Sequence, residues 1–358
     1  MKPGRRGFLG GAIGLAVASG RVRPALAAGE AQDGTGERLA QAYIAPTMRE
    51  FQRAAGALRE TLDRMCRMSG PWRAEGLEEG FRALVSAWSR IAFLRFGPLL
   101  RENRHERICF WPDPRGVMLR QIRPFVQGAQ AVDDLKAHSV AVQGLPALEY
   151  VLYTGKGPLA AGGAAGDQAL CRYAAAIAGN VADIAGALWQ AWRPQGDYAR
   201  DFARPGPANA FYRNDNEVLT ETLKALSAGL RFEADVKLRT ALTTQQAKAR
   251  PRILPFWRSG LALFAQAEAA LGLAAFHEVA GFAREPGWLA RGLDHELRQS
   301  AGLLRAREGQ ELRMGEDADL YRELTLVVLK LDNARRMVDE NLAPELGVGL
   351  GFNALDGD

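Results

Sequence analysis

AQAYIAPTMREFQRAAGALRETLDRMCRM, residues 40–68, sets the fold class. Apolar side chains recur at Tyr43, Ile44, Met48, Phe51, Ala55, Leu58, Leu62 and Met65. Steps of three and four residues place them on one face of a helix, with the charged residues opposite. The same period returns over residues 77–96, 168–192, 216–241, 257–279, 285–307 and 318–342. The alternation of a half-buried strand is almost absent, so the chain reads as all-α. Long amphipathic helices with short connections suit antiparallel bundles.

The longest break in the pattern is RPQGDYARDFARPGPANAFYRN, residues 193–214, dense in Pro, Gly and Asp. With a helix opening at residues 144–149 counted, four helical segments lie on each side of it. The expected organisation is therefore an N-terminal bundle over residues 28–205 and a C-terminal bundle over 206–358. Two further irregular stretches are expected: residues 101–121, containing CFWPDPRG, and a glycine-rich surface loop over 154–166. The ending LGVGLGFNALDGD is apolar and glycine-rich where a fraying tail would be polar, which predicts that it folds back onto the bundles.

Residues 1–27 read as an export signal: a basic start, an apolar run from Phe8 to about Ala18, and a small-x-small site at Ala25-Leu26-Ala27. The run is shorter than the roughly 20 apolar residues that span a bilayer. Arg5-Arg6 followed by Gly7-Phe8-Leu9 has the form of a twin-arginine signal. This predicts a periplasmic protein with no transmembrane helix in the mature chain. Five of the 46 basic residues (Lys2, Arg5, Arg6, Arg21 and Arg23) belong to this leader, leaving 41 against 41 acids. A mature chain that is formally neutral gives no reason to expect nucleic acid as a partner.

The three cysteines, Cys66, Cys109 and Cys171, include no C-x-x-C. They permit at most one disulfide with one thiol left over, and scattered cysteines are more often small buried hydrophobes. The chain also lacks G-x-S-x-G, H-E-x-x-H, a phosphate-binding glycine loop and C-x-x-C-H.

Chemistry concentrates on QGLPALEYVLY, residues 143–153. Pro146 fits a first helical turn, where its missing N–H leaves nothing unpaired. Gly144 then lies just outside the helix and Glu149 one turn in, where the helix N-terminal field favours a carboxylate. That reading needs no ligand. The alternative is a functional site built on Glu149. Asp113 has the same two readings, as a turn residue of Pro-Asp-Pro-Arg-Gly or as an oxygen ligand. Trp111 can wall a pocket or fill the core. Asn214 or Asp215, with Glu217, reads as a helix cap. Arg258 and Ser259, in FWRSG, read as the opening of another helix.

These strings carry a resemblance. GLPALE resembles the hallmark G-x-H-x-x-E of the imelysin-like family, with Gly144 and Glu149 matching and Pro146 in the histidine position. FWPDPRG (110–116), FYRNDNE (211–217), FWRSG (256–260) and GFNALDGD (351–358) are also similar, so the resemblance spans most of the mature chain. It implies an exported protein of two helical bundles, tied to bacterial iron uptake through iron-uptake components of the cell envelope. Founding members are classed with metallopeptidases. It further implies a pocket that includes Glu149, Pro146, Gly144, Asp113, Trp111 and Arg258, with Asn353 and Asp356 from the terminal string.

A histidine and a glutamate three residues apart share one helix face and can hold one metal ion. Proline has no donor atom. None of the four histidines (His105, His138, His277 and His295) lies within one turn of Glu149. Oxygen ligands alone, Glu149 and Asp113, favour Ca²⁺ or a weakly held iron or other divalent cation. Three functions follow as expectations. The first is a non-proteolytic periplasmic binding or accessory protein of iron acquisition. The second is a metallopeptidase taking its histidine from elsewhere, and the third a helical scaffold for a partner protein.

Overall fold

The computed structural model describes residues 34–68, 74, 76–160, 168–282 and 287–350. The leader, the tip of the 154–166 loop, and the terminal string with Asn353 and Asp356 lie outside the described residues. Among the described residues there is no strand, and no helix is long and apolar enough to cross a membrane.

The opening stretch forms one continuous helical run: Thr35–Leu39, a π-type turn over Ala40–Ile44, then α1 (Ala45–Arg67). Its predicted stripe is buried, with Met48, Phe51 and Leu62 fully enclosed. Helix α2 (Leu77–Ile91) buries Phe81, Leu84, Val85 and Trp88 against α1. It stops five residues before the predicted end, because the chain turns at Ala92 and passes through extended Phe96 into Gly97-Pro98. A short helix α3 (Leu145–Tyr153) precedes the alanine-rich α4 (Gln168–Trp192), which lies along α1. Small side chains allow that close approach. A disulfide between Cys66 of α1 and Cys171 of α4 locks the pair. Two of the cysteines are thus a cross-link rather than inert hydrophobes, and only Cys109 is a free buried thiol. Closing a loop of 105 residues restricts the unfolded chain by about 4–5 kcal/mol in the chain-entropy account.

The second group comprises α5 (Asp215–Arg231), α6 (Ala262–Ala280), α7 (Gly287–Ala306) and α8 (Ala318–Arg336). Asn214 caps α5 by accepting the Glu217 N–H at 3.0 Å, and Glu217 accepts the Arg213 N–H at 2.7 Å. Helices α5 and α8 each run on into a π-type segment, Phe232–Arg239 and Met337–Leu342. Helix α6 is apolar around most of its circumference and is buried over most of it, between α2 of the first group and α7 of the second. Gly272 makes this possible, since a Cβ there would sit 2.8 Å from the Arg90 carbonyl oxygen. The two groups consequently share one continuous core. The connecting segment 193–214 is packed too: it carries a helix (Asp197–Ala203) whose Tyr198 and Phe202 are buried, and Tyr198 shares a 2.7 Å hydrogen bond with Tyr212.

Candidate functional site: a cleft beside a buried glutamate

Glu149 sits in the second turn of α3 and is 1% exposed. Three local features place it there. Gly144 precedes the helix with extended backbone, and a Cβ on it would lie 2.3 Å from the Ile108 carbonyl oxygen, so only glycine lets α3 press onto the 107–108 backbone. Pro146 occupies the first turn, as expected. Leu145, Leu148 and Leu152 are buried and anchor the helix. A solvated carboxylate resting in the helix N-terminal field is therefore not what forms.

The partners of Glu149 come from FWRSG, 110 residues further along the chain. The Ser259 N–H and hydroxyl both lie 2.9 Å from Oε1. The Arg258 guanidinium stands 3.9 Å from Oε2. FWRSG is not the start of a helix, which begins only at Ala262. Positive φ at Phe256 (64°) and Gly260 (71°) closes a turn here, and Leu261 N–H donates to the Phe256 carbonyl at 3.0 Å. A bulky residue at positive φ is strained by roughly 1–3 kcal/mol, the kind of local cost found where a turn must aim its side chains. Phe256 is held by burial against Phe81.

Burial pushes the Glu149 carboxyl up to about 7, against the opposing pull of the Ser259 N–H and hydroxyl and of Arg258. It therefore exchanges its proton near neutrality. Burial also lowers the pKa of Arg258, with Glu149 and Tyr150 opposing. The Arg258 guanidinium lies over the rings of Trp257 and Tyr150, 4.5 and 5.4 Å from their centroids. Ser259 Oγ is also 3.0 Å from the Phe256 carbonyl. With one hydroxyl proton, it can serve the carboxylate or that carbonyl but not both. Ionised Glu149 draws the hydroxyl, and protonated Glu149 frees it.

Glu149 forms part of the wall of a cleft of about 360 Å³, bordered also by Pro146, Asp113, Trp111, Trp257 and Arg258. The structure thus brings together Glu149, Pro146, Asp113, Trp111 and Arg258 from the predicted pocket. Gly144 lies behind it as a packing residue. Trp111 is half-buried, its Nε1 donating to the Ile253 carbonyl at 2.8 Å and its ring edge-on to Phe232. Asp113 accepts from the Val117 and Met118 N–H groups at 2.7 and 2.9 Å, ordering the first turn of Val117–Gln121. The lining residues that escaped sequence reasoning include Arg250, Arg252 and Trp257. The only local signal was the Arg-Pro-Arg at 250–252, just ahead of FWRSG.

No histidine lines the cleft. His105 is buried elsewhere, 5.2 Å from the Trp88 ring centroid and 3.3 Å from the Ala92 carbonyl oxygen, and burial lowers its pKa. His138 packs edge-on against Phe125, His277 lines a different cleft, and His295 is exposed on α7. Among the described residues no group of three or more His, Cys, Asp and Glu is placed to hold a metal ion. Among the described residues, the two carboxylates of the cleft already accept protein hydrogen bonds, and one faces a guanidinium. This donor set does not fit a bare catalytic ion, which needs about three protein ligands and an open position.

An all-helical protein of this architecture, with a buried glutamate beside a cleft between chain-distant turns, matches a known group. The family model described as Imelysin, Peptidase M75, matches residues 42–281. The chain belongs to the imelysin family. Two solved structures share the fold. An imelysin-like protein from Psychrobacter arcticum 273-4 superposes with a TM-score of 0.71 at 16% identity, covering 90% of this chain and 98% of that one. A "putative iron-regulated protein A precursor" from Parabacteroides distasonis ATCC 8503 gives 0.66 at 10% identity, covering 86% and 95%. No curated protein matches.

Proposed function

We propose that this protein is exported to the periplasm and serves there as a non-proteolytic binding or accessory protein of iron acquisition, with the cleft at Glu149 and Asp113 as its ligand site. The observation that carries the reading is the state of Glu149: enclosed, hydrogen-bonded to Ser259, facing Arg258, and bordering a cleft without imidazole or thiolate. Pro146 offers no ligand atom where the family hallmark has histidine, which argues against metal-activated hydrolysis. Three further observations support the remainder. The leader has the form of a twin-arginine signal, a disulfide such as Cys66–Cys171 suits an oxidising compartment, and one relative of the same fold is named for iron regulation.

The test is made in cells. Deleting the gene should slow growth when iron is withheld by a chelator and leave iron-replete growth unchanged, and Glu149→Ala should reproduce the deletion at normal protein levels. Replacing Arg5 and Arg6 by Lys should retain the protein in the cytoplasm. Full rescue by Glu149→Ala would remove the cleft from the function. Cleavage of denatured protein substrates by the purified chain, lost in Glu149→Ala, would favour the peptidase reading instead.

A further inference from the structure

Among the described residues, the cleft at Glu149 is bordered by three guanidiniums and two carboxylates. Arg258 stands inside, stacked over Trp257. Arg250 and Arg252 are exposed at the rim, and the Arg252 guanidinium also lies over the same indole, 5.6 Å from its centroid. Neither Arg250 nor Arg252 forms an ion pair with a described acid. On the acidic side, each oxygen of Asp113 accepts an N–H, and Glu149 Oε1 accepts from the Ser259 N–H and hydroxyl. Glu316 lines the neighbouring cleft, which Arg250 and Arg252 also border.

A bare cation entering here would meet three guanidiniums and, among the described residues, carboxylates already engaged by N–H and hydroxyl donors. A small anion would meet two rim guanidiniums able to bind carboxylates in bidentate fashion, with a third deeper in. The remaining walls, Trp111, Leu254 and Trp257, are apolar. A cleft of about 360 Å³ falls at the small end of the range that encloses organic ligands.

We propose that the cleft binds a compact organic anion carrying two or more carboxylates, its charges read by Arg250, Arg252 and Arg258. Iron reaches this protein inside the chelate of such an anion and not as the naked ion. This rests on the reading of the cleft as the ligand site and assigns its ligand class.

The experiment is calorimetric titration of the mature protein with tricarballylate and citrate as probes, and separately with Fe²⁺ and Zn²⁺ alone. Both carboxylates should bind, and each of Arg250→Ala and Arg252→Ala should weaken them by about tenfold. Raising salt should weaken binding as well, and Arg252→Lys should restore only part of it. Both arginines are exposed, so their variants should melt with the wild type. Adding ferric ion to citrate, but not to tricarballylate, should tighten binding if the chelate itself is recognised. Tighter binding with iron supports the whole proposal, and unchanged binding overturns its iron clause while keeping the anion. Absence of anion binding, or anion binding indifferent to both arginines, overturns the ligand class. So does stoichiometric binding of a bare ion that Glu149→Ala abolishes, although the iron role would then stand. Anion binding with no growth defect in the deletion strain would do the reverse.

Discussion

Glu149 and Glu268 are both buried glutamates, 1% and 0% exposed, and each touches a serine and arginine. Their environments differ in two respects. Glu268 lies within α6, where it accepts from Arg90 of α2 at 2.7 Å and from Ser86 at 2.8 Å, and forms a close ion pair with Arg305 of α7. Two guanidiniums surround one carboxylate, and the arrangement ties three helices together. Glu149 has one guanidinium, at 3.9 Å, and a cleft alongside. At Glu268 cations outnumber the carboxylate and the ion pairs clamp the helices, whereas at Glu149 burial outweighs its single distant guanidinium. The number and proximity of partners set that difference, not the residue type.

The largest expected effect would break the clamp. Glu268→Ala leaves two half-exposed arginines facing a gap and should destabilise the fold by about 3 kcal/mol, read from the midpoint of urea unfolding. Destabilisation below about 1 kcal/mol would mean that the clamp contributes little.

The pH dependence tests the other half of the comparison. Glu149 holds its proton more tightly when folded, at about 7 against an ordinary 4.5. The associated stability is present below pH 4.5, is lost as pH rises to about 7, and changes no further above it. This contribution amounts to about 3 kcal/mol. Glu149→Gln keeps the shape without the charge, so it should flatten that part of the profile and raise stability at pH 8 by about 1–2 kcal/mol. A stability profile of the glutamine variant parallel to wild type would show that Glu149 does not titrate as described.

Finer changes sharpen the contrast. Ser259→Ala removes the hydroxyl that favours the charged carboxylate but keeps the N–H, and should move the Glu149 midpoint upward at a stability change of about 1 kcal/mol at neutral pH. Arg258→Met removes a more distant charge and should shift the midpoint in the same direction by less. Both shifts can be followed by the carboxyl carbon resonance of Glu149 across pH 5–9. A downward shift in either would contradict the electrostatic account.

The helices were legible because their information is local. Residues 168–192 were read as a helix with the bounds observed, and the stripe of α1 faces the core residue for residue. Local misreadings occurred where a backbone turn overrode an apolar period. Trp257 continues the pattern of α6, yet positive φ at Phe256 and Gly260 delays the helix to Ala262. The division of the chain near residue 205 stays a proposal, because α2 and α6 share a core across it. Of the site, the sequence marked Glu149, Pro146, Asp113, Trp111 and Arg258 through their strings, but not the relation among them.

By itself the sequence determined the all-helical class and the core-facing side of each helix, because a 3.6-residue period is a property of neighbours along the chain. It also displayed the proline that replaces a ligand. Only the tertiary structure decided which carboxylate loses its water, which arginines surround it, and which two of three cysteines meet. Those outcomes join residues more than 100 positions apart. Desolvation and charge pairing depend on distance in space, and no local pattern encodes that distance.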